Sequence, residues 1–213
     1  MAKRADFIEI GKKFGIDKVT ARIIRNRDVI GDNDINMYIN GGIDDLYDPK
    51  LLKDSDKLID ILTEKIKQKK KIRIIGDYDI DGVMSTYILL KALKRAGADV
   101  SCMIPDRIKD GYGLNVELIN KAYDDKIDTI ITCDNGIAAI DEIAHAKELG
   151  MTMLVTDHHA VPYNEENGER IYIKSRADAI VNPHQADCDY PYKELCGACL
   201  LYTSPSPRDR QKS

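Results

Sequence analysis

Residues 74–90, IIGDYDIDGVMSTYILL, set Asp77, Asp79 and Asp81 at alternate positions where an apolar run ends. Carboxylates this close repel one another, because like charges a few ångströms apart cannot all ionise at low cost. Divalent metal among them removes the conflict. Two more polar clusters follow apolar runs: Asp134-Asn135-Gly136 after DTIITC (128–133), and Asp157-His158-His159 after MTMLVT (151–156). Carboxylates alone suit Mg2+ or Ca2+, whereas added imidazole moves the preference toward Mn2+ and its neighbours. Two ions about 3.5–4 Å apart would form a hydrolytic centre in which one carboxylate bridges and a water of lowered pKa is the nucleophile. Asp134 is the expected bridge, since it stands alone at its strand end. Such a centre would also neutralise a phosphoryl group, whose transfer depends mainly on positioning and electrostatics. Gly82 and Gly136 would let the backbone turn sharply beside a bound anion, and a helix starting near Val83 would aim its N-terminus at it.

The elements that must carry these residues alternate. KIRIIG (71–76), DVSCMI (99–104), DTIITC (128–133), MTMLVT (151–156) and the shorter DAIV (178–181) are predicted strands. VMSTYILLKALKRAG (83–97), NVELINKAYDD (115–125) and AIDEIAHAKELG (139–150) are predicted helices, two of them closed by Gly97 and Gly150. The alternation predicts an α/β fold, an open parallel sheet with helices on both faces. In such sheets ligands bind beyond the carboxyl ends of the strands. Three strand ends therefore deliver five Asp and two His to one rim. An amphipathic helix begins near Asp54, with Leu58, Ile59, Leu62 and Ile66 on one face and Asp54 or Ser55 as N-cap. Residues 1–53 form a small, mostly helical lead-in. Residues 54–198 are the main domain, and 199–213, ending in the Ser/Pro/Arg-rich SPSPRDRQKS, are an expected disordered tail.

At 213 residues, 43% hydrophobic and 32% charged, the chain can form one good-sized domain with an appendage. Its apolar runs are too short to span a bilayer, and MAKRADFIEIGKK has no signal-peptide core, so cytoplasm is the default. The five cysteines are an odd number and read as reduced thiols. Cys188, Cys196 and Cys199 with His184 lack the second close pair of a usual structural zinc site. A net charge of −4 demands no nucleic acid globally. The run KIKQKKKIR (65–73) reads as a helix C-terminus and solvated turn in preference to a phosphate-contact patch. A nucleotide cofactor is not expected, for there is no G-x-G-x-x-G and no P-loop.

GDYDIDGVMST, DNGI and TDHH resemble the successive motifs of the DHH phosphoesterase superfamily. LYDPKLLKDSDK (46–57), IPDRIKDGYGLN (104–115), VNPH (181–184) and YPYKELCGA (190–198) narrow the likeness to its RecJ-like branch, in the right order over residues 40–198. The resemblance implies a manganese-dependent 5′→3′ exonuclease on single-stranded DNA, acting in repair and recombination. It implies Asp79, Asp81, Asp134 and His158 as ligands of two Mn2+ ions (Mg2+ being the alternative), with Asp77 beside them. His159 would touch the scissile phosphate, Asp157 would orient an imidazole, and Arg107 would contact phosphate unless it is an ordinary surface arginine. His184 is expected in a loop and His145 on a solvent-facing helix surface.

RecJ-like proteins follow CGA with a glycine and an apolar helix, then a further metal-ligand Asp and further domains. Here Cys199 replaces that glycine, so the similarity is expected to stop at Ala198 and the tail to be foreign sequence. Two other readings stay open: a phosphatase or phosphodiesterase acting on short oligonucleotides or cyclic dinucleotides, and a catalytically silent scaffold. Protein partners are not readable from the sequence.

Overall fold

The computed structural model of the protein describes residues 7–108, 111, 113–166 and 168–203. Of the expected disordered tail 199–213, residues 204–213 lie outside them, whereas 199–203 belong to the helix Gly197–Thr203 and bury Leu200 against the core. The chain divides into two compact units between Leu46 and Tyr47. In the first, helices α1 (Phe7–Phe14), α2 (Lys18–Asn26) and α3 (Asp32–Asn40) bury Ala21, Ile24 and Ile35. Asp17 caps α2, its carboxylate accepting from the Val19 and Thr20 N–H groups at 2.7 and 3.1 Å.

The second unit is built on a five-stranded parallel sheet of order β2-β1-β3-β4-β7. Its strands are β1 (Lys71–Ile75), β2 (Asp99–Met103), β3 (Thr129–Cys133), β4 (Thr152–Thr156) and β7 (Ala179–Val181). Helices α4 (Ser55–Lys67), α5 (Ile80–Arg95), α6 (Val116–Asp124), α7 (Ile140–Glu148) and α8 (Gly197–Thr203) cover it. Strands β1, β3, β4 and β7 alternate between two cores, as period-2 geometry requires of strands covered on both sides, while β2 is the more exposed edge. Ile72, Ile74, Ile131 and Leu154 point into one core with Leu58, Leu62, Leu89, Leu93 and Leu200 of α4, α5 and α8. Ile75, Ile130, Met153 and Val155 point into the other with Leu118, Ile119, Ile143 and Ala146 of α6 and α7. The predicted α/β class with helices on both faces is therefore the observed one.

The chain leaves β1 through α5 to β2 on one side, then returns through α6 to β3 on the other. The order reverses between β1 and β3, which opens a crevice at their carboxyl ends. Asn135 ties this switch point together, its Nδ2 donating to the Ile75 carbonyl at 3.1 Å and the Cys133 carbonyl at 2.9 Å.

Three local details differ from expectation. Asp54 sits at the start of α4 in a left-handed conformation (φ 61°), with no side-chain capping bond. Its Oδ2 instead accepts from the Ile180 N–H at 3.1 Å, fastening the helix start to β7. A hairpin of β5 (Tyr163–Glu166) and β6 (Glu169–Tyr172) was not readable, because every one of its residues is exposed and no apolar alternation marks it. His145 is half-buried, its Nε2 meeting Asn120 Oδ1 at 2.8 Å, since α6 and α7 lie side by side. The basic run lies at the opposite rim from the crevice, where Lys65 and Lys70 reach Asp128 at 2.5 and 3.6 Å.

Candidate metal centre

Each motif follows a strand directly, so the parallel register brings all three to the same rim. Asp77 follows β1, Asp134 follows β3 and Asp157 follows β4, and their exposures are only 2, 2 and 1%. Asp134 adopts φ 61°, and its N–H donates to the Thr156 carbonyl at 3.0 Å, so the turn is pinned to the neighbouring strand. The backbone must then turn again at Gly136, whose φ is 105° and whose missing Cβ would lie 2.5 Å from Thr132 Oγ1. Gly82 is equally confined, since a Cβ there would approach the Asp77 carbonyl oxygen to 2.5 Å. Both glycines named from the sequence thus permit close backbone packing.

Two donor groups form, Asp77/Asp79/Asp134 and Asp134/His158/His159, in each of which the ligand atoms lie within 4.8 Å of one another. Asp134 belongs to both. Asp79 is exposed and caps α5, its Oδ1 accepting from the Gly82 N–H at 2.9 Å. Asp81 lies 3.5 Å from His158 Nε2 and accepts backbone N–H groups from Gly197 at 2.6 Å and Ala198 at 2.8 Å. His158 Nε2 meets Asp134 Oδ1 at 2.9 Å.

Asp157 serves its neighbours rather than opening toward them. Its Oδ1 takes the His158 N–H (2.7 Å), the His159 N–H (3.1 Å) and His159 Nδ1 (2.7 Å), while Oδ2 takes the Ile137 N–H (2.9 Å). Burial pushes this carboxyl up, but the hydrogen bonds from His159 and Ile137 outweigh it and hold the pKa below the usual range. In return Asp157 raises the pKa of His159.

Asp134 moves the other way, pushed up to about 7 by burial first and then by the charges of Asp81 and Asp79. Burial, with Asp79 adding to it, also raises Asp77. Asp77 Oδ1 is buried without a hydrogen-bond partner, an arrangement a cation would satisfy. An orphaned carboxylate oxygen, crowded like charges and adjacent imidazole nitrogens make a donor set that fits divalent transition metal.

Arg107 lies in the loop after β2 with its guanidinium 5.4 Å from the Tyr78 ring centroid, on the motif that carries the three aspartates. His184 is a half-buried loop residue whose N–H donates to Asn182 Oδ1 at 2.7 Å. Among the described residues it forms no donor group with Cys188, Cys196 and Cys199. Sequence reasoning named Asn135 only within its polar cluster, with no role of its own, and missed Asn182 and Gly197 as members of this site. Asn182 is fully buried, and its Nδ2 donates to the His159 carbonyl at 2.9 Å. Gly197 lies against Asp134, where a Cβ would come within 3.0 Å of its Oδ1. VNPH and CGA contain both residues, but only contacts across long sequence separations give them a role.

The profile of the DHH family, N-terminal domain, matches residues 71–212. The chain belongs to the DHH family. Over 158 residues, 74% of this chain, it is 41% identical to the single-stranded-DNA-specific exonuclease RecJ of Bacillus subtilis, covering 19% of that protein. Over 196 residues, 92% of this chain, it is 31% identical to the RecJ of Haemophilus influenzae, covering 32% of it. This DHH chain thus spans between about a fifth and a third of the length of those relatives. Among solved structures, an exonuclease RecJ bound to manganese superposes with a TM-score of 0.62 at 29% identity, over 75% of this chain and 38% of that one. RecJ of Thermus thermophilus in complex with Mn2+ gives 0.59 at 26% identity, over 83% and 24%. This DHH domain is homologous to RecJ exonucleases over most of its length. Among the described residues no helix is long and apolar enough to cross a membrane.

Proposed function

We propose that this DHH chain carries the metal centre of a RecJ-type exonuclease, a two-metal phosphodiester hydrolase that removes nucleotides from the 5′ end of single-stranded DNA. The observation that supports this most directly is the sharing of buried Asp134 between an all-carboxylate group and an imidazole-containing one. Asp79, Asp81, Asp134 and His158 would hold two Mn2+ ions, with Asp77 beside them and Asp134 as the bridge. Bound divalent cations would supply an activated water and charge neutralisation at the phosphoryl group.

The chain's own residues do the rest. Asp157 Oδ1 fixes the Nδ1 side of His159, and the ring would meet the scissile phosphate through Nε2. Asp157 raises the pKa of His159, and the ring so oriented would hydrogen-bond a non-bridging phosphate oxygen as negative charge builds there. Arg107, braced over Tyr78, offers a second cationic contact to the strand. Such work belongs to DNA repair and recombination in the cytoplasm, with single-stranded DNA as the partner and no nucleotide cofactor.

The test compares Mn2+-dependent release of mononucleotides from 5′-labelled and 3′-labelled long single strands with hydrolysis of dinucleotides and cyclic dinucleotides. Early release of the 5′ label is expected. Faster turnover of the dinucleotides would overturn the exonuclease reading in favour of a short-oligonucleotide phosphodiesterase, and no Mn2+ binding by calorimetry would leave only a scaffold.

A further inference from the structure

The segment just before and within the first turn of α8 lies more than one hundred residues downstream of Asp81, yet it touches the metal centre twice. Its first contact is electrostatic. Both oxygens of Asp81 accept backbone N–H groups, from Gly197 to Oδ2 at 2.6 Å and from Ala198 to Oδ1 at 2.8 Å. These are short, charge-assisted bonds. Each uses one lone pair per oxygen, so the carboxylate is locked in orientation and still has lone pairs to offer. The second contact is steric. A Cβ on residue 197 would lie 3.0 Å from both Asp134 Cβ and Asp134 Oδ1, and 2.9 Å from Ser85 Oγ. Asp134 is 2% exposed and cannot swing away into solvent.

We infer that Gly197 and Ala198 are positioning residues of the metal centre: their amides aim Asp81, and the bare Cα of Gly197 lets the chain close against Asp134 without displacing it. This assignment rests on the two-metal reading above and adds to it a second support for the ligands, comparable to what Asp157 does for His159. Hydrogen-bonded partners of ligating groups set ligand orientation and commonly tune metal affinity by about 10–100-fold.

The experiment is calorimetric titration of the 213-residue chain with Mn2+, read beside the thermal midpoint of the same proteins in EDTA. Gly197→Ala is expected to weaken Mn2+ binding by about 10-fold or more. Ser85→Ala removes the hydroxyl that Gly197→Ala would strike. If the defect of Gly197→Ala passes through Asp134, adding Ser85→Ala does not restore binding, whereas full restoration would reduce the glycine to a packing role and overturn the inference. Ala198→Pro deletes only the amide facing Asp81 Oδ1, in a helical first turn that tolerates proline, and should weaken Mn2+ binding with a small change in midpoint. Leu195→Ala, which loosens the same segment from its core, should lower the midpoint while leaving the affinity of the folded protein unchanged. Wild-type affinity in both Gly197→Ala and Ala198→Pro sinks this proposal and leaves the two-metal reading standing. A wild-type chain that takes up no Mn2+ sinks both.

Discussion

His158 Nε2 lies 2.9 Å from Asp134 Oδ1 although 24 residues separate them, because β3 and β4 are adjacent parallel strands that end at the same height. The same aspartate lies within reach of Asp77 and Asp79 from the strand on its other side. Asp134 is therefore where the charge of the whole rim concentrates.

Asp134→Asn should separate binding from stability. Mn2+ affinity, measured by calorimetry, is expected to fall by at least about 100-fold, at the upper end of what losing even an indirect partner does. Stability of the metal-free protein in urea should hold or rise by roughly 1 kcal/mol, because a buried charge set between Asp79 and Asp81 is gone. A destabilised variant with unchanged affinity would contradict the central role of this carboxylate.

Gly136→Ala tests the turn. A residue with a Cβ at φ 105° meets Thr132 Oγ1 at 2.5 Å, so the loss should be about 2 kcal/mol in chemical denaturation, in the range of other strained backbone positions. Thr132→Ala would relieve the contact but not the dihedral strain, and the double variant should recover only part of the loss.

Acid should unmask the ion pairs at the opposite rim. Burial raises the Asp128 pKa, but hydrogen bonds from Lys65 and Thr129 outweigh it and bring the net pKa below the ordinary value. A depressed carboxyl contributes stability that is present above its unfolded pKa of about 3.9 and is lost as pH falls through the lower folded value. Lys65→Met should therefore cost about 1 kcal/mol at neutral pH and progressively less below about pH 4. Urea titrations at pH 7 and pH 3 give the comparison, and an equal difference at both would refute the pairing.

Thiol chemistry should divide by position. Burial pushes the Cys133 thiol up to about 12, so at pH 8 it is protonated as well as covered, while Cys102 is exposed. Mass spectrometry after brief alkylation of the native protein should find Cys102 modified and Cys133 intact. Early labelling of Cys133 would mean that the end of β3 opens readily.

Much of the architecture was legible because the central strands of the sheet are short apolar runs and helices α5 and α7 carry their own periodicity and a glycine stop signal. KIRII, TIITC and TMLVT need no partner to be recognised, and the aspartates and histidines that follow them inherit their common rim from parallel topology alone. The β5–β6 hairpin left no such trace, since YNEE and ERIY are exposed throughout and held by strand pairing and a Tyr163–Tyr172 contact. Asp54 illustrates a second kind of limit: its type and position suit a helix cap, yet its carboxylate serves Ile180, 126 residues away.

The amino-acid order by itself determined the family, the α/β class and the seven acidic and imidazole side chains of the rim, because these follow from local pattern and from strand ends. Only the folded chain decided which of them share a cation-sized space, which one is withdrawn to orient its neighbour, and that Asn135, Asn182 and Gly197 brace them. Those roles arise from hydrogen bonds and close approaches between segments distant in sequence, and no local periodicity encodes a contact whose partner lies on another element.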